Sequence, residues 1–213
     1  MDLRLYLVTS GTGRATVDSA AAAAAAGAGV VQVRAKGAST AELMRLVAGV
    51  AGAVAHARPA TRVLVDDRAD VAWAARRRGV PVHGVHLGQD DLAVSDARAL
   101  LGPEAIIGLT TGTLQLVKEA RALTGMVDYL GAGPFRATPT KDSAREPLGV
   151  DGYPALVAAS TVPIVAIGGI TSADVPALAA TGVAGVAVVR EVMEAPDPGA
   201  AAAAILAGWP PSP

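Results

Sequence analysis

The feature that most limits the fold of this chain is an alternation. Eight short apolar runs, at residues 3–8, 30–33, 62–65, 82–87, 105–109, 126–130, 163–167 and 183–189, are each succeeded by a stretch with helical character. Continuous Val/Ile/Leu/Ala runs suit parallel strands covered on both faces. The first helix holds the alanine run 20–26, alanine being the best helix former, and ends at Gly27 or Gly29. Ser39 or Thr40 caps a second helix to about His56, and residues 69–78 form a third whose Arg76–Arg78 run is a solvated end. Ser95 caps a fourth helix to Leu101, and 113–123 and 151–160 form the next two. Thr171 or Ser172 caps a seventh ending near Gly182, and 198–207 form the eighth. Eight βα units predict an α/β fold, a (β/α)8 TIM barrel in a single domain over residues 1–208, with 209–213 a frayed tail. The alternative is a doubly wound open sheet.

Composition narrows the partners. The net charge of −1 sets up no global field for nucleic acid or an anionic membrane, so anion binding must come from local placement. Cysteine is absent, which excludes disulfides, thiolate metal sites and cysteine nucleophiles. Met1-Asp2-Leu3-Arg4 lacks a signal-peptide pattern. The uncharged stretch 19–33 is shorter than the ~20 residues of a membrane span and is interrupted by Gln32. A cytoplasmic protein is expected, acting on small molecules, with no nucleic acid and no membrane. Whether it forms a homo-oligomer stays open.

In a parallel barrel all strand C-terminal ends point to one mouth, so the residues at the end of each run converge there. Those positions carry Gln32, Arg34 and Lys36; Asp66 and Asp67; Gln89, Asp90 and Asp91; Thr110 and Thr111; Thr138, Thr140 and Lys141; Gly168 and Gly169; and Arg190. Gln32, Arg34 and Lys36 are spaced by two, so in extended chain they share a face, and an amide with two cations suits a diphosphate. The alternative is a polar strand end facing solvent. Paired carboxylates near cations suit Mg2+, which takes one or two protein carboxylates plus substrate oxygens; helix capping is the alternative. Gly168-Gly169 before a capped helix exposes N–H groups to an anion, or is a tight packing turn.

The stretch 131–141 departs from the short connections elsewhere. Its Gly, Pro, two Thr hydroxyls and Lys make it a phosphate-handling loop or a surface excursion. His86 is a candidate for the ligand side of the barrel, with a structural role equally open; Tyr6 could face a planar ligand there, core packing being its plainer reading.

Seven segments together carry a resemblance: Tyr6-Leu-Val-Thr9, Val31-Gln-Val-Arg-Ala-Lys36, Gly84-Val-His-Leu-Gly-Gln-Asp-Asp91, Asp128-Tyr-Leu-Gly-Ala-Gly-Pro134, Thr138-Pro-Thr-Lys141, Pro147-Leu-Gly149 and Ala166-Ile-Gly-Gly-Ile170. In that order, nearly end to end, the chain resembles the thiamine-phosphate synthase family. The resemblance implies a Mg2+-dependent transferase joining 4-amino-2-methyl-5-hydroxymethylpyrimidine diphosphate to thiazole phosphate, through a pyrimidine cation, with release of pyrophosphate. It implies that Gln32, Arg34 and Lys36 hold the diphosphate with Lys141 on the leaving group, Arg34, Lys36 and Lys141 being the catalytic cations. Asp66 and Thr110 stand at substrate-binding positions, Asp67 and Asp91 at the metal. Thr138, Thr140, Gly169, Val189 and Arg190 fall on the thiazole phosphate. The family's usual Asn is Asp66 here, its Ser after the fifth strand is Thr110, a His two positions on is Gly112, and its Ser after the eighth strand is Arg190. A thiazole tautomerase-like relative and a non-catalytic phosphate-ligand sensor on the same barrel are the alternatives.

Overall fold

The structure is a computed structural model that describes residues 1–137 and 146–210. Its strands are β1 (Leu5–Val8), β2 (Val30–Val33), β3 (Arg62–Asp66), β4 (Gly84–Leu87), β5 (Ile106–Thr111), β6 (Tyr129–Ala132), β7 (Ile164–Ile167) and β8 (Gly185–Val188). Every neighbouring pair is parallel, and β8 returns to β1 with Val186 opposite Leu5, closing the sheet. The expected (β/α)8 barrel is the observed fold. The open-sheet alternative fails because β8 pairs with both β7 and β1, so no strand of the ring is left as an edge.

Side chains alternate along each strand, which splits the core into two layers. In β1, Leu5 and Leu7 join the large cluster between strands and helices, while Tyr6 and Val8 join the smaller cluster inside the barrel. Around the ring the inner cluster is Tyr6, Val30, Leu64, Tyr129, Val165 and Ala187, closed at one end by Leu3. The outer layer is covered by α1 (Arg14–Ala25), α2 (Thr40–Ala57), α3 (Ala69–Arg77), α4 (Val94–Leu101), α5 (Leu114–Glu119), α6 (Tyr153–Ala159), α7 (Val175–Ala179), α8 (Arg190–Met193) and α9 (Pro198–Ala207). Ser39 starts α2 with a capping box: its Oγ accepts the Glu42 N–H at 3.3 Å, and its own N–H donates to the Glu42 carboxylate at 2.9 Å. The apolar face Leu43, Leu46, Val47, Val50 and Val54 is then buried, each such side chain worth about 1.5–3 kcal/mol.

Several boundaries differ from expectation. Strand β6 starts at Tyr129, three residues late, because the Met126 and Val127 N–H groups donate back to Leu123 O, at 2.8 and 3.2 Å, and hold that stretch in the preceding turn. Gly131 and Ala132, expected at the start of the long loop, are therefore in the strand. Strand β5 runs on to Thr111, so Thr110 is a strand residue. Ser95 does not cap α4, which starts at Val94 after Ala93 without a side-chain cap. The helix after β5 tightens into a 3-10 turn over Ala120–Leu123. Arg76 is more than a solvated end: its guanidinium donates to Leu101 O at 2.6 Å and ties α3 to α4. Short α8, directly after β8, has no counterpart among the expected helices. Trp209, expected in the frayed tail, packs partly against the outer core. Among the described residues no helix is long and apolar enough to cross a membrane.

Candidate active site

The strand C-terminal ends surround a cavity of about 530 Å³. Gln32, Arg34, Asp66, Thr110, Gly169, Val189 and Arg190 all line it, so seven of the positions expected to bind substrate share one space. Thr138, Thr140 and Lys141 lie outside the described residues.

One wall is built by β2, β3 and β4. Gln32 is 3% exposed, and its Nε2 donates to Asp66 Oδ1 at 2.9 Å. Arg34 Nε lies 3.4 Å from the other Asp66 oxygen, and Lys36 Nζ lies 3.3 Å from Asp67 Oδ2. The spacing of two after β2 therefore points its polar groups at the end of β3, as alternation requires. Asp67 sits at φ 59°, an αL conformation uncommon outside glycine but tolerated by Asp. Asp91 is anchored by the Gly88 N–H at 2.6 Å. Gln89 Nε2 donates to Thr110 O at 2.6 Å and thereby links the loop after β4 to β5.

This wall is electrostatically loaded. Burial pushes the Asp66 carboxyl up to about 7, the charge of Asp67 adds to the rise, and Arg34 and Lys36 oppose it. Burial likewise raises Asp91; the Gly88 N–H opposes the rise, and a hydrogen bond with the Asp67 side chain reinforces it. Two carboxylates in mutual contact are stable with a shared proton or a cation between them. Among the described residues no group of three His, Cys, Asp or Glu side chains forms a metal cage. Two carboxylates beside phosphate-seeking cations nevertheless match what Mg2+ takes from a protein when substrate supplies the remaining oxygens.

The opposite wall is the turn after β7 and the start of α8. β3 and β7 are four places apart in an eight-strand ring, hence diametrically opposed. Gly168 and Gly169 both have positive φ, 99° and 72°, and a Cβ on Gly168 would lie 2.8 Å from Pro134. The turn is braced on three sides. Arg136 donates to Gly169 O at 2.9 Å and to Asp174 at 2.6 Å. Asp174 accepts the Thr171 N–H and hydroxyl, both at 2.8 Å. Glu191 of α8 accepts the Ser172 N–H at 3.0 Å and its hydroxyl at 2.9 Å. Arg190, next to Glu191, lines the cavity.

The floor holds a group that the sequence reveals only in part. Tyr6 and His86 both face the cavity, and Tyr129, which carries no signal of its own in the sequence, joins them. Tyr129 Oη is 2.8 Å from Tyr6 Oη and 2.8 Å from His86 Nδ1, and His86 Nε2 is 2.8 Å from Thr110 Oγ1. The available signal is two glycines: Gly108 leaves the space that the Tyr129 ring fills, and a Cβ on Gly131 would lie 3.2 Å from His86. His56 sits in the last turn of α2, and His83 accepts the Val63 N–H at 3.0 Å, so neither joins the site.

The geometry thus combines a cationic and acidic wall, a glycine-turn wall and a polar floor. The family model described as thiamine monophosphate synthase matches residues 5–192. This chain belongs to the thiamine monophosphate synthase family. Thiamine-phosphate synthase of Corynebacterium jeikeium is 59% identical over 97% of this chain and 94% of its own. That of Corynebacterium efficiens is 56% identical over 98% and 95%. Among solved structures, thiamine phosphate pyrophosphorylase from Pyrococcus furiosus superposes with a TM-score of 0.83 at 32% identity, covering 97% of this chain and 95% of that one. A 3-hexulose-6-phosphate synthase at 20% identity and a TM-score of 0.64 shares the fold alone.

Proposed function

We propose that the chain is a thiamine-phosphate synthase that joins the pyrimidine diphosphate to thiazole phosphate and releases pyrophosphate, with Mg2+ as its metal. The observation that carries this reading is the opposition, across one cavity, of a wall of cations and carboxylates at the Gln32–Asp66 end and a glycine-turn wall with Arg190 at the other. A reaction between two phosphorylated partners needs both held in register, and orientation of this kind removes much of the barrier of a two-substrate step.

Arg34 and Lys36 would neutralise the departing pyrophosphate, an electrostatic task that requires fixed cations rather than a nucleophile. Gln32 orients Asp66, and both flank the diphosphate. Asp67 and Asp91 would hold Mg2+, which when bound supplies positive charge to the leaving phosphate oxygens. On the other wall, the Gly168-Gly169 turn and Arg190 would seat the thiazole phosphate, directing its ring nitrogen at the pyrimidine methylene carbon. As the carbon–oxygen bond breaks, the electron pair leaves with pyrophosphate, and the nitrogen lone pair captures the resulting pyrimidine cation. Thr138, Thr140 and Lys141 complete the proposal from the loop, the threonines toward the thiazole phosphate and the lysine toward pyrophosphate.

The test is turnover of both substrates with and without Mg2+. Formation of thiamine phosphate, lost in chelator and restored by Mg2+, is expected. No product at saturating concentrations removes the synthase reading, and tight binding without turnover favours a phosphate-ligand sensor. Product formed equally well in chelator removes Mg2+ alone.

A further inference from the structure

Four buried side chains on the cavity floor form one line of hydrogen bonds, Tyr6 to Tyr129 to His86 to Thr110, each step 2.8 Å. We propose that Tyr6, Tyr129 and His86 are positioning residues that set the polarity of this line, so that the Thr110 hydroxyl is a donor aimed at an acceptor atom of the substrate. The inference rests on Thr110 being a substrate contact, as the proposed function has it.

The polarity comes from counting hydrogens. A neutral tyrosine hydroxyl has one to donate, and a neutral imidazole is a donor at one nitrogen and an acceptor at the other. Burial holds the Tyr6 and Tyr129 hydroxyls well above their ordinary range, so both stay protonated. Tyr6 is 2% exposed, and among the described residues Tyr129 is the hydrogen-bond partner of its hydroxyl. Buried hydroxyls donate where they can, so the Tyr6 hydrogen goes to Tyr129. The Tyr129 hydrogen then goes to its second partner, His86 Nδ1. Imidazole accepting at Nδ1 carries its proton at Nε2, and Nε2–H donates to Thr110 Oγ1. The Thr110 hydrogen is displaced from the His86 side and is left to point into the cavity that Thr110 lines. The opposite polarity would turn the Tyr6 hydrogen away from Tyr129, its acceptor among the described residues, at a cost of about 1–3 kcal/mol.

The line is held rigidly. His86 stacks on Tyr129 with centroids 5.5 Å apart at 27°, and Tyr6 lies 5.7 Å from Tyr129. Gly108 and Gly131 supply the room for these rings, since a Cβ at either position would press on Tyr129 or His86. The packed rings hold the line in one register, and the hydroxyl hydrogens with the imidazole tautomer set its polarity. A hydroxyl whose hydrogen is released from the protein offers that hydrogen to a substrate atom with a lone pair.

The test uses the full chain with 15N-labelled histidine. Three histidines are present, and His86→Gln assigns the signal. Neutral His86 protonated at Nε2 is expected at neutral pH. Tyr6→Phe should turn this into a tautomer mixture and lower kcat by about two- to tenfold, as the loss of one hydrogen bond would, with both KM values and Tm little changed. His86→Gln, whose amide offers one acceptor and one donor, should retain more turnover than His86→Leu. A proton at Nδ1, an imidazolium, or a Tyr6→Phe variant with wild-type tautomer and kcat overturns the proposal. Thr110→Val separates the premise: wild-type turnover there removes the substrate contact itself, whereas the tautomer measurement judges the polarity independently.

Discussion

The Gln32 amide donates to the Asp66 carboxyl at 2.9 Å, across the seam between β2 and β3, while the other Asp66 oxygen faces Arg34 at 3.4 Å. A carboxyl thus occupies the position from which Arg34 would otherwise face a diphosphate. Asn in place of Asp66 keeps an oxygen for Gln32 to donate to, removes the negative charge and offers an N–H₂ to phosphate. Asp66→Asn is expected to lower KM for the pyrimidine diphosphate by up to about tenfold, equivalent to ~1.4 kcal/mol. Steady-state kinetics at fixed thiazole phosphate measures it. A raised KM together with lost Mg2+ dependence would mean that Asp66 itself is a metal ligand.

The same carboxyl makes stability depend on pH. Asp66 is pushed from 3.8 to about 7, mainly by burial, so the folded chain binds a proton that the unfolded chain has released between those values. Stability rises with pH only where the unfolded state binds more protons, and here the sign is the reverse. The Asp66 contribution is fully present below the unfolded value of 3.8 and is lost as pH rises through about 7. In chelator, the Tm of Asp66→Asn should therefore exceed that of the unaltered chain above the folded value, and the gap should close toward the unfolded one. At ~1.4 kcal/mol per pH unit, the gap is at most on the order of 4 kcal/mol. A gap independent of pH would show that packing rather than charge separates the two.

Gly108 is a packing requirement of the floor. A methyl group there would run into the Tyr129 ring, which is 1% exposed and fixed by two hydrogen bonds. Gly108→Ala should destabilise by about 1–3 kcal/mol, the usual cost of overpacking. For a chain of this length that lowers Tm by roughly 2–4 °C per kcal/mol. Thermal unfolding measures it, and an unchanged Tm would mean the ring has space the structure does not show.

The barrel is legible in the sequence because each strand is a continuous apolar run and most helices carry a start or stop signal. The β2 end is legible for a similar reason: alternation alone puts Gln32 and Arg34 on one face, and the structure sets both against Asp66. Tyr129 is not, because a tyrosine in an apolar run reads as core until its partners are known. Those partners lie 43 and 123 residues away. Helix α8 escapes detection because four residues are too few to show a helical period. The Glu191–Ser172 brace that depends on α8 is invisible with it. Ser95 misleads because a capping residue type says nothing of the backbone it would cap.

Arg190 stands where the family usually has Ser, and it lines the cavity on the wall opposite Asp66. Its neighbour Glu191 already occupies the Ser172 N–H and hydroxyl, so those donors are withdrawn from any anion on that wall. A phosphate seated there must draw on the Gly168-Gly169 turn and on Arg190. Charge-assisted hydrogen bonds contribute about 1.5–3 kcal/mol, so Arg190→Ala should raise KM for thiazole phosphate by roughly ten- to a hundredfold. KM for the pyrimidine diphosphate should stay within about twofold, because in the proposed arrangement its charges meet Arg34 and Lys36 rather than Arg190. Turnover of the unphosphorylated thiazole alcohol should be unaffected, which separates loss of a phosphate contact from damage to the barrel. Equal rises in both KM values, or a loss of activity toward the alcohol as well, would place Arg190 outside the thiazole phosphate cradle.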